Sequence, residues 1–345
     1  MELYEYARPD VMNGKKILYL HGFASSGQNG TVKTLRTLLP NTEIISPDIP
    51  VEPAEAMAML KEICDSQKPD IVIGTSMGAM YGEQLAGTWR ILVNPAFQLA
   101  DTILKNNGLG RQEYHNPRQD GETWFLVNKA LLENYRDCSS HCFEHSEEDQ
   151  EKVFGLFGIH DNLVHTFDLF EEHYPQAIRF DGEHYMNDST VLHSVMPLIQ
   201  RIDDIQEGRA RKTIFISLED TLADFRNELP KGKTRIEAEP VSSAVKAFRK
   251  LSEAYDCYVL ASPAYNKPQE WADAVVWSEA HLGVHCWNKV VIGSRRDLIF
   301  GDYIIDRHPD RNHVEDFMGT VIEFGSETFR TWEDVLTYFD RLGGQ

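Results

Sequence analysis

An apolar run ends on a serine between two glycines at residues 70–82, which read DIVIGTSMGAMYG. Glycine on both sides removes the side chains that would block a very tight turn from a strand into a helix. The pattern G-x-S-x-G between a strand and a helix is typical of a nucleophile exposed at the carboxyl end of a sheet. Ser76 is the candidate nucleophile, and the Met77 N–H is a candidate oxyanion donor. The alternative is a glycine-rich surface turn with an ordinary serine.

Short β-rich runs alternate with helical patterns along the whole chain. The runs are KKILYLHGF, TEIISPDIP, DIVIGTS, RILVNPAF and KVFGLFGIHD in the first half, and KTIFISLEDTLADF, CYVLASPAYN, KVVIGS and YIIDRH in the second. Helical stretches at Val241–Tyr255 and Gln269–Leu282 separate strands of the second half. This alternation predicts an α/β fold in which two mostly parallel sheets are each doubly wound by helices.

A polar, charge-dense stretch, QRIDDIQEGRARK, follows Ile199 and predicts the boundary between two domains. The predicted domains are residues 1–205 and 212–345, joined by a linker at 206–211. With 345 residues, of which 42% are hydrophobic, the chain has enough apolar material for two cores.

Composition excludes several classes of function. The formal net charge of -20 argues against a nucleic-acid polymer as partner, because phosphates would be repelled. No run reaches the roughly eighteen apolar residues of a membrane helix, and MELYEYARPD lacks a secretory signal pattern. The five cysteines are scattered without CxxC pairs, which argues against a disulfide framework or a zinc site. These features predict a cytoplasmic protein that does not engage a membrane.

A serine nucleophile of this kind needs a carboxylate and then a histidine later in the chain. Asp161 follows a strand in LFGIHDNLV, and His184 follows the next strand in IRFDGEHYM. Upstream, YLHGFASSG ends the earliest strand, where the Phe23 N–H is a candidate for the second oxyanion donor. His21 in the same stretch is expected to be structural.

Other residues could fill the same two roles. His160, His165 and His193 are rival bases, while Asp168 and Asp181 are rival acids. Chain order and placement at strand ends favour Asp161 and His184 over these.

Six stretches resemble, in order, the small bacterial YqiA-type esterases of the α/β-hydrolase superfamily: YLHGFASSG, GTSMGAMYG, ILVNPAF, NPRQDGETWFLVNKALL, GIHDNLV and GEHYM. The resemblance covers the first two hundred residues. It implies hydrolysis of small carboxylic esters, with Ser76 as nucleophile, His184 as general base and acid, and Asp161 orienting the histidine. It also implies a small-molecule ester as partner and neither metal nor cofactor.

The segment between Phe97 and Gln150 carries apolar side chains at near-helical spacing. They are Trp124, Phe125, Leu126, Leu131, Leu132 and Tyr135. The segment is either a small cap over the acyl site or a layer that packs on the sheet.

The second half, from about Lys212, contains the stretches TIFISLEDTLADF, YVLASPAYNKPQEWADAVVWSEAHLG and SRRDLIFGDYIIDRHPDRN. Together they resemble haloacid-dehalogenase-type phosphatases, and in particular the 5'(3')-deoxyribonucleotidases. TIFISLEDTLADF corresponds to the motif D-x-D-x-T, with Ser217 and Glu219 at the two aspartate positions. Further positions implied by the resemblance are Ser262 for phosphate, Arg296 in place of a lysine, and Asp302 and Asp306 for magnesium.

The departures from that family pattern predict lost or redirected chemistry. Ser217 cannot form the acyl phosphate that an aspartate forms, and its presence removes one magnesium ligand. Asp220 is one residue away from the nucleophile position and would point to the opposite side of the strand end. If this domain holds a cofactor, that cofactor is magnesium.

The leading hypothesis is a serine esterase fused to a degenerate phosphatase-like domain. A binding or scaffold protein without catalysis, and a magnesium-dependent nucleotidase in the second domain, are the alternatives. A phosphate or nucleotide sensor built on Ser262, Arg296 and Asp302 is a further option for the second domain.

Overall fold

The computed structural model describes residues 3–226 and 234–342, and the chain divides into two compact units between Glu207 and Gly208. The outermost residues of the two predicted domains, 1–2 and 343–345, lie outside the described residues.

The first unit contains a parallel sheet of six strands within its described residues, in the order β2-β1-β3-β4-β7-β8. A separate antiparallel hairpin pairs β5 with β6. The strands are β1 (Lys16–Leu20), β2 (Glu43–Ile45), β3 (Ile71–Thr75), β4 (Trp89–Val93), β5 (Gly110–Glu113), β6 (Trp124–Val127), β7 (Val153–Gly158) and β8 (Ala177–Phe180).

Helices connect these strands, and a π-helical turn at Val191–Val195 leads into the last of them. They are α1 (Gly30–Leu38), α2 (Pro53–Gln67), α3 (Met77–Glu83), α4 (Leu99–Asn106), α5 (Lys129–Ser140), α6 (Ser146–Asp149), α7 (Phe167–Glu171), α8 (Asp188–Thr190) and α9 (Met196–Glu207).

The second unit has a parallel sheet of five strands in its described part, in the order β11-β10-β9-β12-β13. Its strands are β9 (Thr213–Ser217), β10 (Asp256–Ala261), β11 (Val290–Ile292), β12 (Tyr303–Asp306) and β13 (Thr320–Glu323), and its helices are α10 (Ala244–Leu251), α11 (Pro268–Leu282) and α12 (Trp332–Leu342). The predicted fold class, two parallel α/β sheets, is confirmed.

The apolar residues of β3 suit its position inside the first sheet. Ile71, Val72 and Ile73 are fully buried, as expected of a parallel strand that is covered on both faces. Every residue of α3 is buried too, and its two glycines allow this helix to lie close to the sheet. The strand and helix that flank Ser76 therefore form a rigid part of the core.

Two local expectations differ from the structure. The predicted linker at 206–211 begins inside α9, because buried Ile199 and Ile202 and the bond from Lys15 Nζ to Asp203 (2.7 Å) continue the helix to Glu207. The near-helical spacing expected from Trp124 is wrong at the hairpin, where burial alternates along β6 as it does in a strand. Strand β13 was not predicted.

The described residues contain no helix that is long and apolar enough to cross a membrane.

Candidate active site

The turn between β3 and α3 holds Ser76 in a conformation that few side-chain-bearing residues adopt, with φ +53° and ψ -113°. The residues at positions 74 and 78 must be glycine because backbone atoms lie where a Cβ would be. A Cβ at Gly74 would lie 2.4 Å from the Gly78 carbonyl oxygen, and one at Gly78 would lie 2.1 Å from the Leu20 carbonyl oxygen. The absence of a side chain at Gly74 therefore allows the tight turn into α3, and its absence at Gly78 allows α3 to lie against the end of β1.

Ser76, His184 and Asp161 are joined by hydrogen bonds. His184 Nε2 lies 3.0 Å from Ser76 Oγ, and His184 Nδ1 lies 2.8 Å from Asp161 Oδ2. The three residues follow β3, β8 and β7, respectively, so the carboxyl end of the parallel sheet collects them. In this arrangement the imidazole can accept a proton from the serine while the carboxylate fixes its tautomer.

The electrostatic setting keeps Asp161 ionised. Burial opposes the charge, but the hydrogen bonds from His184 and from the Leu163 and Val164 N–H groups outweigh it and hold the pKa of Asp161 below its usual value. A charged Asp161 stabilises the imidazolium that forms when His184 accepts a proton.

The two candidate oxyanion donors lie beside Ser76. Met77 begins α3, and its N–H is one of the helix groups without an intrahelical acceptor. A Cβ on Gly22 would lie 3.4 Å from Ser76 Cβ, which places the loop carrying Phe23 against the nucleophile. Among the described residues neither N–H donates to a protein acceptor, so both remain available to a ligand oxygen.

His21 supports the same loop through backbone contacts. Its Nδ1 lies 2.8 Å from the Gly22 carbonyl oxygen, and its Nε2 accepts the Ile49 N–H at 3.0 Å. Burial lowers the pKa of His21 to about 4, so the ring is neutral at neutral pH. Both ring nitrogens are engaged with backbone rather than directed at Ser76.

The five rival residues lie outside the hydrogen-bonded chain of Ser76, His184 and Asp161. His160 Nε2 pairs with Asp181 Oδ1 at 3.1 Å in an exposed contact, and His165 is exposed after β7. Asp168 is exposed on α7, and His193 lies in the π-helical turn. The structure brings none of these five side chains into the hydrogen-bonded chain at Ser76.

The segment between β4 and β7 packs onto the loop that carries Phe23. Phe125 of the hairpin meets Phe23 edge to face, with ring centroids 5.2 Å apart. The Tyr135 hydroxyl of α5 donates to the Val51 carbonyl oxygen at 2.8 Å. Aromatic side chains of the hairpin and α5 thus pack beside the loop that carries the candidate oxyanion donor Phe23.

One residue that sequence reasoning missed lies at the centre of the site. Asn94, buried just after β4, bonds to the backbone of both Gly158 and His184. An asparagine before a proline, in ILVNPAF, was a signal for a turn residue but not for these partners.

In the second unit, Ser217 ends β9 and donates a hydrogen bond to Asp306 Oδ2. The other Asp306 oxygen accepts the His308 N–H at 2.8 Å, and burial raises the pKa of Asp306. Both carboxylate oxygens are therefore engaged within the protein.

Glu219 occupies the place beside Ser262. The Ser262 N–H lies 3.1 Å from each Glu219 carboxylate oxygen, and Arg235 donates to Oε1 at 3.0 Å. The Ser262 hydroxyl donates to the Gly293 carbonyl oxygen at 3.1 Å. Arg296 is buried nearby and donates to the same carbonyl oxygen.

The prediction that Asp302 takes part in this site is wrong. Asp302 precedes β12, and its Oδ2 accepts the N–H of Thr213, the first residue of β9, at 2.8 Å. Since β9 and β12 run parallel, Asp302 lies at the amino end of the sheet while Ser217 and Asp306 lie at the carboxyl end. Asp220 also stays apart, bonded to the Phe225 N–H at 2.9 Å and to His308 Nε2 at 3.0 Å.

These residues do not fit a magnesium site. Ser217 stands where the family has a carboxylate, and Asp302 lies at the amino end of the sheet, away from Ser217 and Asp306. Glu219 accepts hydrogen bonds from Arg235 and from the Ser262 N–H. In the described ranges, 3–226 and 234–342, no three His, Cys, Asp or Glu side chains are grouped to hold a metal ion.

Comparisons with known proteins match the two units to different families. The sequence profile of UPF0227, described as an uncharacterised protein family, matches residues 16–189, which is half of the chain. The profile of NT5C, described as 5' nucleotidase, deoxy (pyrimidine), cytosolic type C protein, matches residues 217–338. The resemblances predicted from the motifs are confirmed for both units.

One curated relative and several solved structures are similar to parts of the chain. A putative 5'(3')-deoxyribonucleotidase of Vibrio phage KVP40 is 29% identical over 151 residues, which span 38% of this chain and 88% of the phage protein. A Paleococcus ferrophilus monoacylglycerol lipase has 13% identity and a TM-score of 0.38, covering 54% of this chain and 94% of the lipase. Est1E from Butyrivibrio proteoclasticus has 11% identity and a TM-score of 0.41, covering 59% of this chain and 92% of Est1E.

By the match to half of its length, the chain belongs to the UPF0227 family, and a deoxyribonucleotidase-like domain follows in the same polypeptide.

Proposed function

We propose that the first unit is a serine hydrolase that cleaves small carboxylic esters through an acyl-enzyme. The observation that carries this proposal is the continuous path of hydrogen bonds from Ser76 Oγ to His184 (3.0 Å) and from His184 to Asp161 (2.8 Å). Nucleophile, base and orienting carboxylate at these distances are the groups that ester hydrolysis requires.

In the acylation step, His184 Nε2 accepts the Ser76 hydroxyl proton as Ser76 Oγ bonds to the ester carbonyl carbon. The carbonyl oxygen takes up the electron pair of the broken π bond, and the Phe23 and Met77 N–H groups donate to it. Losing one such donor raises the barrier by about 3 kcal/mol.

The tetrahedral intermediate then collapses. The alcohol leaves with the proton from His184, and the acyl group stays on Ser76. Water then loses a proton to His184 as its oxygen bonds to the acyl carbon, which gives a second tetrahedral intermediate. The bond from that carbon to Ser76 Oγ breaks, Ser76 Oγ takes the proton back from His184, and the carboxylic acid leaves. Asp161 remains a carboxylate throughout and holds the imidazole in place.

Labelling with a fluorophosphonate probe tests this proposal. We expect covalent modification of the wild-type chain at Ser76, and turnover of p-nitrophenyl esters that is fastest for short acyl chains. Both are expected to be lost in Ser76→Ala and kept in Ser66→Ala, a change at an exposed serine on α2.

An unlabelled wild-type chain, or equal labelling of Ser76→Ala, would contradict the proposal. No labelling together with no turnover across the ester series would instead favour a binding or scaffold function. The result therefore separates the two classes of function.

The second unit is proposed to have lost phosphatase activity. The support is that Ser217 replaces the nucleophile and that Glu219 holds the Ser262 N–H, where a phosphate oxygen would bind. We expect no phosphate release from deoxyribonucleoside monophosphates in the presence of Mg²⁺, in wild type and in Asp306→Asn alike, by a colorimetric phosphate assay.

Phosphate release that persists in Ser76→Ala and disappears in Asp306→Asn would overturn this part of the proposal. It would assign nucleotidase activity to the second unit, independently of the first.

A further inference from the structure

We propose that Asn94 is a positioning residue that keeps the base His184 within hydrogen-bonding distance of the nucleophile Ser76, an inference that rests on the proposed function. Asn94 is the first residue after β4, is 2% exposed, and has φ +46°. Asparagine tolerates this left-handed conformation better than most side chains, so the turn can form without glycine. A side chain is thus retained at a point where the loops of the site meet.

The Asn94 amide uses all of its hydrogen-bonding groups on these loops. Its Oδ1 accepts the Gly158 N–H at 2.8 Å, and its Nδ2 donates to the carbonyl oxygens of Glu183 (3.0 Å) and His184 (3.1 Å). One oxygen facing a donor and one nitrogen facing two acceptors fix the orientation of the amide. The backbone of the base is therefore tied directly to the end of β4.

The same contact reaches the orienting carboxylate. Gly158 ends β7, and its carbonyl oxygen accepts the Asp161 N–H at 3.1 Å. A Cβ at Gly158 would lie 2.5 Å from the Gly182 carbonyl oxygen, so only glycine allows the loop before His184 to lie this close to β7. Asn94 joins the two loops at this close approach.

The nucleophile is attached to the backbone on either side of Asn94. The Ser76 N–H donates to the Val93 carbonyl oxygen at 2.9 Å, and the Ala96 N–H donates to the Ser76 carbonyl oxygen at 3.1 Å. The turn at 93–96 consequently binds Ser76 through its backbone and His184 through the Asn94 side chain. A shift of either loop relative to this turn would change the distance between Ser76 Oγ and His184 Nε2.

Asn94→Asp tests this role because it preserves size and the left-handed turn. One carboxylate oxygen can still accept the Gly158 N–H, but the other would face two carbonyl oxygens and repel them. We expect kcat for a p-nitrophenyl ester to fall about 100-fold while KM changes by no more than about twofold, since the Asn94 side chain bonds to the backbone of Gly158, Glu183 and His184 and not to Ser76 Oγ. The rate of fluorophosphonate labelling is expected to fall by a similar factor.

Asn187→Asp is the matched control. Asn187 lies three residues after His184 and caps α8 by accepting the Thr190 N–H at 2.9 Å, a bond that aspartate retains. The identical chemical change at this position is expected to leave kcat and KM near wild type.

A readout independent of turnover separates this inference from the proposed function. The low-field proton resonance of the His184 Nδ1–H bonded to Asp161 is expected in wild type and Asn187→Asp, and to be shifted or lost in Asn94→Asp. Should Asn94→Asp not fold, Asn94→Gly, which suits the left-handed turn and removes the amide, is measured in the same way. If the Asn94 variant has the kcat of the wild type and an unchanged resonance, the positioning role is overturned. If the wild type is inactive but its resonance changes in the Asn94 variant, only the hydrolase proposal is refuted.

Discussion

Replacing His184 with alanine is expected to lower kcat for ester hydrolysis by a factor on the order of 10⁴ to 10⁶. The imidazole lies 3.0 Å from Ser76 Oγ, and without it no group in the hydrogen-bonded chain can accept the serine proton. The fold should be kept, because His184 lies in a loop between β8 and α8. Steady-state kinetics with p-nitrophenyl esters and circular dichroism measure the two effects.

His165→Ala and His160→Ala are the matched controls, since both histidines follow β7 and are exposed near the site. Each is expected to retain kcat. A large loss in one of them, with activity kept in His184→Ala, would transfer the role of base to the other histidine and refute the assignment.

Gly78→Ala is expected to destabilise the first unit by about 3 kcal/mol and to reduce kcat about 100-fold. The new methyl group would lie 2.1 Å from the Leu20 carbonyl oxygen, a backbone atom of β1, so α3 must move away from the sheet. Because Ser76 immediately precedes α3, that movement displaces the nucleophile. Urea unfolding and ester kinetics on the same samples measure both effects.

Gly82→Ala, one turn further along α3, is the comparison. Its methyl group would meet Leu92 Cδ2 at 3.1 Å, the end of a flexible side chain, and alanine favours helix by roughly 0.5–1 kcal/mol over glycine. Its stability and kcat should stay near wild type. Equal loss in both variants would show that close approach to β1 is not what Gly78 provides.

The fold class could be predicted because apolar runs and helical patterns alternate along the chain. Parallel strands such as β3 are buried on both faces, which leaves a continuous apolar signal in the sequence. The hairpin gave a weaker signal. Trp124 and Leu126 of β6 are exposed, so its apolar residues do not share one face, and their spacing suggested a helix instead.

Asp302 shows why the second site was harder to predict. The sequence places it four residues before Asp306, and both are acidic residues at the limits of one short strand. Which end of β12 lies beside Ser217 depends on the direction of the strands in the sheet. Because β9 and β12 are parallel, Asp302 lies at the amino end of the sheet, whereas Ser217 lies at the carboxyl end. The resemblance assigned both aspartates to one site by motif position, whereas the parallel sheet predicted from the chain would already place the two ends of this strand at opposite edges.

Sequence alone determined the chemical groups and their order: a serine between glycines, then an acid and a histidine after later strands. It could do so because a tight turn and a strand end both restrict which residue types fit locally. Chain order favoured His184, but tertiary structure alone decided how close His184 lies to Ser76, how Asn94 connects the loops, and that Glu219 binds the Ser262 N–H. Those contacts join residues far apart in the chain, and their distances are set by how strands pair and pack.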